Sequence, residues 1–187
     1  GLALVAKSFL PDRPKSDFDL AAFGRLPVVV NGRVKPLDTV ARTSLVVFQS
    51  SQRVSAPDGT TLTPNEWLLD VLFRGSRADA YQHFEINHPD LLAIFGLTPE
   101  DGRNKRRFSF RQLEPKIAEL QRQSALAGPV DAALRTPFQK AVVQLYSNVG
   151  LYFRLKGSLV VPDHKDFLAE LMTFQSSVTA GVTAVRA

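Results

Sequence analysis

Apolar residues recur along this chain mostly at three- and four-residue intervals, the spacing of a single helical face. From Leu37 the series Leu37, Val40, Ala41, Leu45 and Phe48 keeps to that rule, with Arg42, Thr43, Gln49 and Arg53 on the polar side. Thr63-Pro64-Asn65-Glu66 predicts a helix start, with Thr63 as cap, Pro64 at the first helical position and Glu66 closing a capping box. Trp67, Val71 and Leu72 then face the core and Gly75 ends the helix. A short helix is expected from Ser76 to about Phe84, and another after the turn Asn87-His88-Pro89-Asp90, running to Phe95 and stopped by Gly96. Ser109 and Gln112 form a second capping box for a helix with the stripe Leu113, Ile117 and Leu120, ending at Ala127-Gly128-Pro129.

The longest periodic run extends from about Val130 to Lys156, through Leu134, Phe138, Ala141, Val142, Leu145, Val149, Tyr152 and Phe153. Pro137 either restarts a helix or kinks it, and Lys156-Gly157 suits a helix end. A last helix is expected after Asp163, with the stripe Phe167, Leu171, Phe174, Val178 and Val182. The pattern implies a mainly α, irregular helical domain over 26–187, preceded by an extended arm over 1–25 that holds at most one helical turn, from Ser16.

One segment breaks the helical rhythm. Leu26 to Arg42 reads LPVVVNGRVKPLDTVAR, with Val28, Val29 and Val30 on one side of Asn31-Gly32 and Arg33, Val34 and Lys35 on the other. Asn-Gly suits a type I′ turn, whose two central residues both need φ > 0. A short β-hairpin follows. Pro36 is expected to end its pairing, and Asp38 or Thr39 to cap the helix that starts beside it.

Composition narrows the function. Hydrophobic residues make up 44% and charged ones 22% of the 187, as in ordinary folded domains. The 23 basic and 18 acidic side chains leave +5, which favours anionic partners such as headgroups, nucleic acid or haem propionates. With no cysteine, disulfides and thiolate metal sites are excluded within the chain. No run approaches the roughly 18 apolar residues of a membrane span. The opening GLALVAKSFL reads as the remnant of a membrane segment or processing boundary.

The block Pro27, Gly32, Arg33, Lys35, Pro36, Leu37, Asp38, Thr39, Ala41 and Arg42 resembles a loop of the system II cytochrome c assembly proteins, the membrane-bound haem-handling synthase family. Weaker echoes lie at Trp67 to Asp70 and at Arg106 to Pro115. The resemblance implies a soluble extracytoplasmic (periplasmic) domain of an integral membrane protein, a scaffold or docking surface without catalytic residues. Its implied partners are apocytochrome c, the membrane-embedded remainder of the same protein or a partner subunit, and the membrane surface. Haem belongs to the parent assembly, which attaches it to the substrate's Cys-x-x-Cys-His motif; no cofactor is expected in this segment.

The residues themselves offer little reacting chemistry. His83, His88 and His164 lack the i, i+4 spacing of a helical metal pair, Met172 lies on an apolar stripe, and the single Trp67 has no tryptophan neighbours. Neither a Gly-x-Ser-x-Gly elbow nor an HExxH motif nor a phosphate loop is present. Two basic sets stand out as candidate docking residues. Arg33, Lys35 and Arg42 converge if hairpin and helix pack together, and Arg103, Lys105, Arg106 and Arg107 form an exposed loop. Internal ion pairing is the competing explanation for the first set, and simple solvation for the second. A basic all-α nucleic-acid-binding module is the alternative function, although no helix carries a dense basic face and nucleic acid is not the expected partner.

Overall fold

The computed structural model describes residues 18–158. The expected last helix, with Asp163, His164 and Met172, lies outside the described residues, as does Ser16. Within the segment expected to be an extended arm, Leu20–Arg25 is helical (α1). Asp19 supplies the cap: its Oδ1 accepts from the amides of Ala21 and Ala22 at 3.0 and 2.8 Å. Phe23 and Gly24 are buried. A Cβ on Gly24 would stand 2.5 Å from Asn65 Nδ2 and 3.3 Å from Asp38 Cβ, so the missing side chain is what lets α1 approach its neighbours closely.

Strands β1 (Pro27–Val30) and β2 (Arg33–Pro36) form the hairpin near the N-terminus. Helix α2 (Leu37–Gln49) begins directly from β2 and ends at Ser50, whose φ is 56°. Val40, Ala41, Leu45 and Phe48 are buried, as their spacing predicts. Gln49, placed on the polar side by the same spacing, is buried as well, and its Nε2 donates to the carbonyl of Arg53 at 2.8 Å. A two-residue ribbon, β3 (Val54–Ser55) with β4 (Thr61–Leu62), leads to α3 (Pro64–Phe73). There the Thr63–Glu66 capping box forms in full.

The stretch after α3 departs from the expected helix. Only Gly75–Ala78 is helical (α4), and Gln82–Glu85 is a strand (β5) antiparallel to β6 (Arg107–Ser109). Phe84 pairs with Phe108, and the Ile86 amide donates to the Arg106 carbonyl at 2.8 Å. A partner strand more than twenty residues away decides the conformation, and no local pattern reports it. The register shifts between Gln82 and Phe84, so that His83 and Phe84 both point inward.

Helix α5 (Pro89–Phe95) ends at Gly96. The helix expected after Ser109 divides in two, α6 (Phe110–Leu113) and α7 (Ile117–Ala127), with a 3₁₀ turn at Glu114–Lys116 around Pro115, which has no amide to give. The long helix α8 runs over Pro137–Lys156, capped by Thr136 with Gln139, so Pro137 is a restart. Residues 130–136 are not helical, and Leu134 is 78% exposed. Arg135 explains the break: its guanidinium donates to the carbonyls of Ala127, Gly128 and Val130 at 3.0–3.2 Å, satisfying the acceptors that the end of α7 leaves open.

Trp67, Phe48, Phe84, Phe108, Tyr81 and Tyr152 are fully buried and form the centre of the core, where α2, α3, α8 and the β5–β6 ribbon meet. Asn148 on α8 reaches the Val47 carbonyl of α2 at 3.3 Å and accepts from Gln144 at 2.9 Å, a polar tie inside an apolar contact. The result is the mainly α architecture implied by the helical periodicity.

Candidate functional site

The hairpin–helix block folds as one piece. Asn31 and Gly32 have φ of 52° and 73°, the left-handed pair that a type I′ turn requires. The ladder pairs Val30 with Arg33, Val29 with Val34, Val28 with Lys35 and Pro27 with Pro36. Pairing does not stop at Pro36: the Leu37 amide donates to the Leu26 carbonyl at 3.0 Å and locks the open end of the hairpin to the first residue of α2. The helix therefore starts earlier than expected, with Pro36 as its cap residue and no capping side chain. Asp38 and Thr39 lie within its first turn. Asp38 Oδ2 instead takes a hydrogen bond from Arg42 Nε at 2.7 Å, and the Thr39 carbonyl accepts from Thr43 Oγ1 at 2.7 Å.

Arg33, Lys35 and Arg42 have different fates. Arg42 is held by Asp38 and by Gln52 Oε1 at 3.0 Å, on the rim of an open depression of about 520 Å³ with Arg53 and Thr61 to Pro64. The hydrogen bond to Asp38 raises the pKa of its guanidinium, so it stays charged at any working pH. Arg33 is exposed and Lys35 half-buried, and neither meets a carboxylate among the described residues. Internal pairing thus accounts for Arg42 and leaves two cations on the hairpin with no carboxylate partner among the described residues.

The second basic set is a tight loop. Arg103 and Arg107 exchange backbone hydrogen bonds at 2.8 and 3.0 Å, and Asn104 and Lys105 turn with φ of 50° and 60°. Lys105 lies 3.8 Å from Glu100 and Arg106 3.7 Å from Glu85, while Arg107 sits half-buried in β6, 3.4 Å from the Gln49 carbonyl. Most of this charge is answered from within the chain.

His83 is sealed between Phe48, Trp67, Phe84 and Tyr152, with ring centroids 4.6–5.7 Å apart. Neither ring nitrogen has a partner in good hydrogen-bonding geometry among the described residues. Burial pushes its pKa down to about 3, an effect that the Tyr81 backbone offsets only in part. His88 precedes α5, edge-on to Phe138 at 5.6 Å and 3.9 Å from Asp90. One of these two rings is thus closed off from solvent, while the other is half-buried. Among the described residues no three histidine or carboxylate side chains gather around a common point.

Two buried phenol–carboxylate pairs were invisible in the sequence. The Tyr81 hydroxyl donates to Asp70, with Arg74 and Arg77 at 3.5 and 3.6 Å from that carboxylate. Burial, then the bond to Asp70, raises the Tyr81 pKa to about 12. The Tyr152 hydroxyl donates to Asp79 at 2.9 Å, and Lys156 Nζ meets both Asp79 oxygens at 2.7 and 3.0 Å. Burial, then the charge of Asp79, raises Tyr152 as well. Both phenols stay protonated at neutral pH and act as fixed donors. Their partners stand 11 and 73 positions apart, spacings that no motif marks.

Among the described residues no helix is long and apolar enough to cross a membrane. No protein-family model matches the chain, and a search of curated proteins finds no significant relative.

Proposed function

We propose that this chain is an extracytoplasmic docking domain of a system II cytochrome c assembly protein, a scaffold that contributes surface and geometry to haem delivery rather than reacting groups. The observation that carries the reading is the hairpin–helix block. Its ten family-like positions are contiguous in space and fixed by a left-handed turn, a closing amide bond and the Asp38–Arg42 pair, yet Arg33 and Lys35 meet no carboxylate among the described residues. A bracket that presents these two cations suits recognition of an anionic surface on the membrane-embedded remainder or on apocytochrome c. Haem would be held elsewhere in the parent assembly, at its periplasmic face.

The test is complementation of the parent gene. Arg33→Glu with Lys35→Glu is expected to lower the yield of covalently haem-stained cytochrome c while the chain stays folded. Full maturation with both charges reversed would remove the hairpin from the docking surface.

A further inference from the structure

One face of the β1–β2 ribbon is exposed. Strand alternation places Pro27 and Val29 on the same side as Val34 and Pro36 across the ladder. All four are exposed, Val29 by 72% and its cross-strand partner Val34 by 71%. Directly opposed β-branched side chains usually stabilise a sheet by packing under a second layer, and here both remain largely exposed.

The charge around this face has one sign. From Leu20 to Leu37 the chain carries Arg25, Arg33 and Lys35 and no acidic residue. None of the three has a carboxylate partner among the described residues. The acids that border the segment are engaged, Asp19 by the amides of α1 and Asp38 by Arg42.

We infer that the β1–β2 hairpin docks on an anionic lipid bilayer, with Val29 and Val34 entering the interfacial region and Arg25, Arg33 and Lys35 meeting the headgroup charge. Stable attachment to a bilayer surface needs two signals, apolar burial and electrostatic attraction, and the hairpin has both. Arg33 and Lys35 stand on the other side of the ribbon from the valines. That does not remove them from the field, because a single ribbon is no thicker than the screening length of about 8–10 Å. Their long apolar stems also let the charged heads reach headgroup level. This inference rests on the hairpin alone and not on the cytochrome assembly reading, and no cytochrome takes part in its test.

The experiment is flotation of the full chain with phosphatidylcholine vesicles, with and without phosphatidylglycerol. The wild-type chain is expected to float with the anionic vesicles and to be released as salt rises. Val29→Ser with Val34→Ser should lower partition about tenfold or more, since it strips apolar area and leaves nothing buried behind. An unchanged far-ultraviolet circular dichroism spectrum shows that this pair of substitutions folds. Arg33→Gln with Lys35→Gln should weaken binding and flatten its salt dependence. Wild-type flotation by the serine pair would overturn the inference, because the lipid contact would then lie elsewhere. A wild-type chain that floats with neither vesicle would also overturn it and leave the apolar face to a protein partner.

Discussion

Tyr152, near the end of the longest helix, donates its phenolic proton to Asp79 at 2.9 Å across 73 positions of chain. Lys156, one helical turn further on, meets the same carboxylate at 2.7 Å, and the Asp79 carbonyl accepts the Arg111 amide at 2.9 Å. One residue therefore joins the end of α8, the turn before β5 and the start of α6. Asp79→Ala would leave a buried hydroxyl and a half-buried ammonium without their acceptor, at a cost of about 3 kcal/mol. Tyr152→Phe should cost only about 1 kcal/mol, because it removes donor and demand together. Urea unfolding of the two variants checks the ratio.

His83 sets an acid limit on the fold. Unfolded, its imidazole takes up a proton below about pH 6.5. Folded, it does so only near about 3. The unfolded state binds more protons across that window, so the contribution is intact above about pH 6.5 and shrinks as pH falls toward 3. At pH 5 the loss from this residue is about 2 kcal/mol relative to neutral pH. His83→Leu, similar in size and with no nitrogen to satisfy, should unfold at a lower pH than the wild-type chain. Equal acid midpoints for the two proteins would show that His83 is not sealed.

The turn at Asn31-Gly32 depends on backbone conformation and not on space. A Cβ at Gly32 would meet nothing within 4 Å, but φ of +73° strains any side chain, a β-branched one most. Gly32→Val should lower stability by about 1–2 kcal/mol and weaken the hairpin's amide protection in hydrogen exchange. Gly24→Ala tests the opposite limit, since its methyl group would collide with Asn65 rather than strain the backbone. Its cost should fall largely on the α1–α3 contact and is read as faster exchange in α1.

The local features of this fold were legible in the sequence and the distant ones were not. The capping boxes at Thr63 and Ser109, the Asn-Gly turn and the buried face of α2 each depend on residues within one or two turns of each other. The β5–β6 ribbon depends on Phe84 finding Phe108, and the end of α7 on Arg135 folding back over three carbonyls. The same divide runs through the candidate site. Arg33 and Lys35 could be named from the hairpin pattern, but only the structure distinguishes them from Arg42, which Asp38 and Gln52 hold. The three consecutive valines do not by themselves say which face is covered, and the ladder shows that Val29 and Val34 face outward.

Arg135 gives a check on the break before α8. Arg135→Gln removes hydrogen bonds to the end of α7 while leaving the Thr136 capping box in place. The expected loss is about 1–2 kcal/mol, with exchange protection falling in α7 and not in α8.

Deleting the gene that encodes this chain and staining membranes for covalently bound haem reads the proposed role most directly. On the proposed role the stained bands should disappear in the deletion strain and return with the wild-type gene. A full set of haem-stained cytochromes in the deletion strain would contradict the proposal.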